Sequence, residues 1–414
     1  MTLFLNQNLY EGERGILHKT KSTFESLECS YSGETFPIDK PQRLNPKNGK
    51  PLLARYNLDK AKQTFNKDSL KQRRRDMWKF EELLPVFHYE NIVSLGEGDT
   101  PLFNLRNLEQ YIGIDELFIK DESNNPTGSF KARGLSAAVS KVKEYGIKGI
   151  VMPSAGNAAG AMSAYAAKSN LKAKVFMPKD APIANIIECK AFGADLNLVD
   201  GFISDAGIES AKAADKYNLF DISTLKEPYR VEGKKTMGFE IIEQLNWKVP
   251  DVIVYPTGGG TGIVGIWKAL EELETMGLID DKKPRMVCVQ AEGCAPLVDS
   301  FEKGEKFAKP IKNPSTIAAG MRVPMAVGDF IIFDILRKSN GTALRISDKE
   351  MIQGVKLFSE KEGIFCAPEG GAVLSATIKL KDQGFINTSD KVVILNTGSA
   401  YKYLDTLRDY YWDD

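Results

Sequence analysis

The sequence predicts an α/β protein with open, mostly parallel sheets flanked by helices. Three observations carry this. From Ile92 onward, short apolar runs of strand length alternate with segments of helical periodicity. Glycine-rich or small-residue turns stand where strands lead into helices, at 154–161 and 257–262. The 414 residues can bury a large core and suit two domains.

Taken in order, residues 1–60 read as an extension. Cys29-Ser30-Tyr31-Ser32-Gly33 and Asn45-Pro46-Lys47-Asn48-Gly49 have the outline of two zinc-knuckle turns, but only one of the four ligand positions is a cysteine. A tetrahedral zinc site needs four competent ligands, so a turn-rich piece without metal is expected, or simply a coincidence of glycine turns. Residues 69–84 predict one amphipathic helix ending near Pro85. Ser94–Leu102 is turn-like. Leu117–Glu122 alternates as a strand. In the turn that follows, Pro126 and Gly128 punctuate and Ser129 is placed to cap a helix through Val142.

Strands then follow at Gly149–Met152, Ala173–Met177, Asp195–Val199, Val252–Tyr255, Met286–Gln290 and Lys391–Leu395. Helices are expected at Asn157–Lys168, Ile183–Phe192, Ser204–Lys216, Lys234–Leu245, Gly262–Glu274, Lys349–Lys361 and Gly371–Lys381. The division expected is a large domain of residues 61–135 and 236–414, with a smaller, mobile domain at 136–235.

Lys plus Arg equals Asp plus Glu at 55 each, so no net field draws the chain to nucleic acid or an acidic membrane. No signal-like or membrane-spanning run is present. Five scattered cysteines suit reduced core thiols in a cytoplasmic protein. With only His18 and His88, proton transfer falls to Lys, Tyr, Asp or Glu.

Five stretches can carry chemistry. Lys131 lies on the first turn of a helix after a strand, where the dipole disfavours an ammonium. It is either a reactive amine or a lysine reaching back to water. Ser154-Ala155-Gly156-Asn157 follows a strand directly, so Asn157 either donates to a ligand oxygen or sits in a tightly packed cap. Thr257-Gly258-Gly259-Gly260-Thr261-Gly262 frees backbone N–H groups for an anion at a helix start. Gly260–Gly265 also satisfies a dinucleotide fingerprint, with Glu292 further on than the usual roughly 20 residues. Four near-consecutive glycines suit a phosphate monoester better. Thr397 closes the last strand, as a ligand hydroxyl or an ordinary exit. Arg230, at a helix start where a cation is unfavourable, implies either a bound anion or a salt bridge to Glu227 or Glu232. Together, the lysine, the glycine cradle, the asparagine and the terminal hydroxyl match what pyridoxal 5'-phosphate requires.

In this order the motifs resemble the threonine synthases, within the tryptophan-synthase-β-like (fold type II) family of pyridoxal-phosphate enzymes, over about residues 25 to 405. The likeness rests on Ser94–Leu102, Pro126–Lys131, Ser154–Ala158, Pro228–Thr236 and the glycines 258–260. Gly128-Ser129-Phe130-Lys131 marks the broad family. Arg230-Val231-Glu232-Gly233-Lys234-Lys235-Thr236 marks the threonine synthases within it.

The resemblance implies that Lys131 would join the cofactor's aldehyde, Asn157 would meet its 3'-oxygen, and Gly258, Gly259, Gly260, Thr261 and Gly262 its phosphate. Thr397 would face the pyridine nitrogen. Arg230, with Ser223 and Ser154, would bind the phosphate of O-phosphohomoserine. The reaction implied is γ-elimination of phosphate followed by hydration at Cβ, in the cleft between the two domains. A small amino-acid phosphate is then the partner, with no nucleic acid and no membrane, and a homodimer is left open. Three departures point the other way. Ala132 replaces an aspartate, the glycine run is closer to dehydratases, and Asn396–Lys402 is not the usual ending. A threonine/serine dehydratase or diaminopropionate ammonia-lyase is the alternative, and it needs no second anion site.

Overall fold

The computed structural model describes residues 18–411, so the start of the predicted extension lies outside the described residues. Three sheets organise it. The strands β1 (Phe24–Cys29), β2 (Thr35–Phe36) and β3 (Leu52–Tyr56) form an antiparallel sheet in the order β2-β1-β3. The extension is therefore a folded sheet rather than turns alone. Its two knuckle-like turns meet, and Asn48 Nδ2 donates to Cys29 Sγ at 3.5 Å.

The remaining strands are β4 (Leu102–Asn104), β5 (Glu116–Asp121), β6 (Gly149–Pro153), β7 (Lys172–Pro178), β8 (Asp195–Val199), β9 (Phe220–Asp221), β10 (Val252–Pro256), β11 (Arg285–Ala291), β12 (Thr342–Ile346) and β13 (Lys391–Asn396). They build a six-stranded sheet, β12-β11-β10-β13-β5-β4, parallel except for β4. A second sheet, β8-β7-β6-β9, is parallel throughout. Every strand expected beyond Ile92 is present. The edge strand β12 was not expected, because only Ala343 and Ile346 of its five residues are buried and its apolar signal is short.

Two helix expectations need correction. Residues 69–84 do not form one helix. A short helix ends at Lys71, and a separate 3₁₀ segment covers Met77–Leu83, opened by Asp76 accepting from the Trp78 N–H. Between them Arg73 turns inward and grips both oxygens of the buried Glu82 at 2.7 Å. All of Met77–Leu83 is buried, which a one-sided amphipathic helix does not allow. The helix expected from Lys234 begins at Tyr229 and runs to Gln244. Arg230 and Lys234 are thus one turn apart on a single helix face.

Helix Tyr229–Gln244 packs against helices Lys131–Glu144 and Thr261–Thr275. A buried charge network ties this core to β5. Arg133 spans Glu122 and Glu240, each at 2.6 Å, and Lys120 meets Glu240 at 2.7 Å. Breaking such a pair strands buried charge. Arg133→Met is therefore expected to lower unfolding stability by about 3–5 kcal/mol, read as a lower denaturant midpoint. An unchanged midpoint would mean the network is not holding the two helices together.

Candidate active site

The C-terminal ends of β5, β6, β10 and β13 open on one cleft. In the large sheet β10 leads outward to β11 and β12, and the chain then returns to insert β13 between β10 and β5, a reversal of strand order of the kind outside which ligands bind. The cleft is lined by Lys131, Ser154, Asn157, Arg230, Gly258, Gly259, Gly260, Thr261 and Thr397 among the predicted residues.

The turn that delivers Lys131 is strained. Thr127 has φ +63° and Gly128 φ +62°, and a β-branched residue in the left-handed region persists only when neighbours hold it there. The end of β13 does so. The Phe130 N–H donates to Thr397 O at 3.1 Å, and the Ser399 N–H to Gly128 O at 3.0 Å. Residues 397–399 are thus no ordinary strand exit, since they staple the lysine turn. Ser129 does not cap the helix. The helix begins at Lys131 with Phe130 before it, and the buried Ser129 hydroxyl has no partner.

Lys131 makes no ion pair or hydrogen bond with the described residues; its Nζ lies 3.8 Å from the Phe130 ring centre. Its ammonium is disfavoured by burial first and by the Arg230 charge second, against an opposing pull from Glu369, which brings its pKa down to about 7. Burial, more than the helix dipole, is what makes this amine reactive. Both dominant causes favour the neutral form, so the amine is available above about pH 7. Capture of added pyridoxal 5'-phosphate by cofactor-free protein should therefore rise about tenfold per pH unit below 7 and flatten above it. Stopped-flow absorbance tests this, and a rise continuing beyond pH 9 would refute it.

Asn157 opens the helix Asn157–Ser169, and its buried Oδ1 has no partner. Its amide nitrogen is close to Gly398, where an added Cβ would stand 3.3 Å away, so Asn157 and Thr397 face one space. In the glycine run, an added Cβ at Gly259 would meet Thr224 Cγ2 at 2.6 Å, and Gly260 takes φ +81° to start the next helix. Only glycine keeps this cradle open.

Two predicted residues are not in the cleft lining. Gly262 packs its Cα against the Tyr255 hydroxyl, and Ser223 turns its hydroxyl onto Asp221. Thr224 takes the place expected of Ser223. The dinucleotide alternative also lapses, since Glu292 is exposed and outside the cleft, and Gly265 is pressed against the backbone of Lys235.

Among the described residues Arg230 has no salt bridge. The Glu227 carboxylate accepts the Tyr229 and Arg230 backbone N–H groups instead, and Glu232 is taken by Lys235 and Lys268. The Arg230 guanidinium donates to Ile222 O at 2.9 Å, and its Nε is buried without a partner.

Lys234, Tyr255 and Glu369 are among the lining residues that were not predicted. In the sequence Lys234 appears only within the Arg230–Thr236 stretch, at the expected start of a helix, and nothing local marks it as a ligand. Glu369 accepts from the Gly320 N–H and the Tyr403 hydroxyl, both at 2.8 Å. Nothing local in the sequence marks it, since its contacts are distant in the chain.

A neutral-leaning lysine, an open glycine cradle at a helix start and unpartnered Asn157, Tyr255 and Arg230 atoms could together hold a phosphorylated aldehyde. These features fit pyridoxal phosphate and define a lysine-anchored, cofactor-dependent enzyme. The chain belongs to the pyridoxal-phosphate-dependent enzyme family, whose model matches residues 93–398.

Among its relatives, threonine synthase of Methanocaldococcus jannaschii is 35% identical over 90% of this chain and 92% of that protein. Threonine synthase of Methanosarcina acetivorans is 34% identical over 92% and 93%. Of solved structures, maize serine racemase aligns with a TM-score of 0.65 at 21% identity, covering 76% of this chain and 94% of that one. Tomato threonine deaminase isoform 2 aligns at 0.64 and 21%, covering 76% and 83%. At that identity the two structures speak to the fold alone.

Proposed function

We propose that this chain is a threonine synthase, converting O-phosphohomoserine and water to L-threonine and phosphate. The observation that carries the reading is Arg230, a buried guanidinium that lines the cleft and forms no salt bridge with the described residues, with only the more distant Glu227 and Asp221 charges to offset it. A dehydratase substrate has no phosphate to offer it, whereas O-phosphohomoserine does. The full-length likeness to threonine synthases supports the same reading.

When bound, pyridoxal phosphate supplies an electron sink for negative charge at Cα. The protein's own residues supply the rest. Lys131 Nζ is placed to take the Cα proton and to return protons along the chain of the substrate, a role that histidine cannot fill here. Arg230 holds and neutralises the leaving phosphate as the Cγ–O bond breaks. Asn157 and Thr397 would orient the ring, and Ser154 lines the same cleft as Arg230. The hydroxyl of threonine comes from water added at Cβ. Residues 136–235 form the smaller body, whose closure would exclude bulk water from the cleft. Free, buried thiols suit a cytoplasmic setting.

The test is phosphate release from O-phosphohomoserine by the purified protein, with L-serine, L-threonine and diaminopropionate alongside. Equal amounts of phosphate and threonine are expected. Oxo acid without phosphate would assign the cleft to a dehydratase or ammonia-lyase instead.

A further inference from the structure

The buried cations of this protein fall into two groups. Among the described residues, Lys79, Lys120, Arg133, Lys141, Lys235, Lys268 and Lys402 each meet a carboxylate at 2.6 or 2.7 Å. Arg230 and Lys234 do not, and both line the cleft. An isolated buried charge is costly unless something neutralises it. Arg230 already has a role in the reading above, which leaves Lys234 to be explained.

Lys234 is 1% exposed. Its one hydrogen bond runs to Thr261 Oγ1 at 3.0 Å. Thr261 is the first residue of the helix Thr261–Thr275, whose start has no side-chain cap. The backbone N–H groups of that first turn need an acceptor, and they carry the positive end of the dipole. A second unpartnered group points to the same place. The Tyr255 hydroxyl, 2% exposed, has no partner and lies against Gly262 in that turn. A lysine amine, a phenol and a helix start all converge, with no carboxylate of the described residues bonded to any of them.

We propose that Lys234, assisted by the Tyr255 hydroxyl, is a direct ligand of the cofactor's phosphate at the start of helix Thr261–Thr275. This rests on the cofactor reading of the cleft. It gives the face of helix Tyr229–Gln244 two separate anion positions, Arg230 toward Ile222 and Lys234 toward Thr261. It also explains how two amines can share one ring. Lys234 Nζ lies 3.9 Å from the Phe130 ring centre, as Lys131 Nζ lies 3.8 Å from it. Burial, and the Lys131 and Arg230 charges beside it, hold the Lys234 amine well below the ordinary lysine range, and a phosphate there would favour its charged form.

The test compares the wild type with Lys234→Met and Lys234→Arg. Each protein is stripped of cofactor and titrated with pyridoxal 5'-phosphate and, separately, with pyridoxal, which lacks the phosphate. Lys234→Met should raise the Kd for pyridoxal 5'-phosphate about 30-fold, the equivalent of about 2 kcal/mol for one charge-assisted hydrogen bond. Its Kd for pyridoxal should change less than about threefold. The ³¹P resonance of the bound cofactor should move in Lys234→Met and return toward the wild-type position in Lys234→Arg.

The cofactor-free Lys234→Met protein should unfold no earlier than the wild type, because it loses a buried amine without a carboxylate partner, whose charging burial already opposes. A purely structural lysine predicts the reverse, with both ligands weakened equally, and that result would overturn the proposal. So would unchanged cofactor affinity with a raised KM for O-phosphohomoserine, which would place Lys234 on the substrate's phosphate. If the wild type itself takes up no pyridoxal 5'-phosphate, the cofactor reading fails first and this assignment goes with it. If the wild type binds it and Lys234→Met binds it equally well, only the Lys234 assignment fails.

Discussion

Replacing Lys131 by alanine is expected to lower turnover of O-phosphohomoserine by at least about 10⁴-fold, the upper end of what one positioned base supplies. The expectation is large because the residue has two roles. In the proposed reading it anchors the cofactor covalently, and it is the cleft amine that would accept the Cα proton. No histidine stands in reserve, since the chain contains only His18 and His88. Lys234 does not replace it, because its amine is directed to Thr261. The fold should tolerate the change, as Lys131 makes no hydrogen bond or ion pair with the described residues. Borohydride reduction followed by mass spectrometry gives a readout independent of turnover. The cofactor should be fixed to wild-type protein and washed out of Lys131→Ala. Cofactor fixed equally in both would move the anchoring role to another lysine, with Lys234 the first to examine.

Most of this site was legible in the sequence because its parts are local. A turn residue, a glycine run and a strand exit are each written in a few consecutive positions, and the strand-helix alternation places their loops at one end of a parallel sheet. What escaped was set by contacts between distant segments. Met77–Leu83 looks amphipathic, yet every residue is buried, because the neighbouring elements close over its polar face as well. Ser129 has the composition of a cap, but its backbone pairs with Gly398, far along the chain. Ser223 and Thr224 are adjacent hydroxyls, and the strong pull of Asp221 on Ser223 decides which one faces the cleft. The helix start at Tyr229 depends on Glu227 accepting two backbone N–H groups. Charges in the Arg230–Thr236 stretch hid that start, since cations there are unfavourable until an anion is present.

That same misplaced charge makes Arg230 the residue that decides the substrate. Its guanidinium could be structural, given its bond to Ile222 O at 2.9 Å, or it could await an anion. Magnitudes separate the two. A neutral carbonyl acceptor is worth about 1.5–3 kcal/mol to a charged donor, which is small against the several kcal/mol needed to hold a charge away from water. The unpartnered Nε adds to the deficit. An anionic substrate is what closes it. Arg230→Gln should therefore lower kcat/KM for O-phosphohomoserine by about 10²–10³-fold, the range for truncating one partner of a buried charge pair. Slow deamination of L-serine, which carries no phosphate, should fall far less. Equal losses on both substrates would mean that Arg230 only shapes the cleft.

A second consequence follows from electrostatics. The Arg230 charge is one of the two causes holding Lys131 near pH 7, after burial. Removing it should move the pH midpoint for cofactor capture upward, toward the ordinary lysine value. A binding defect without that shift would show that the two side chains do not share the cleft. The shift and the substrate-specific loss together would place the second anion within electrostatic reach of the reactive amine, as expulsion of phosphate from Cγ requires.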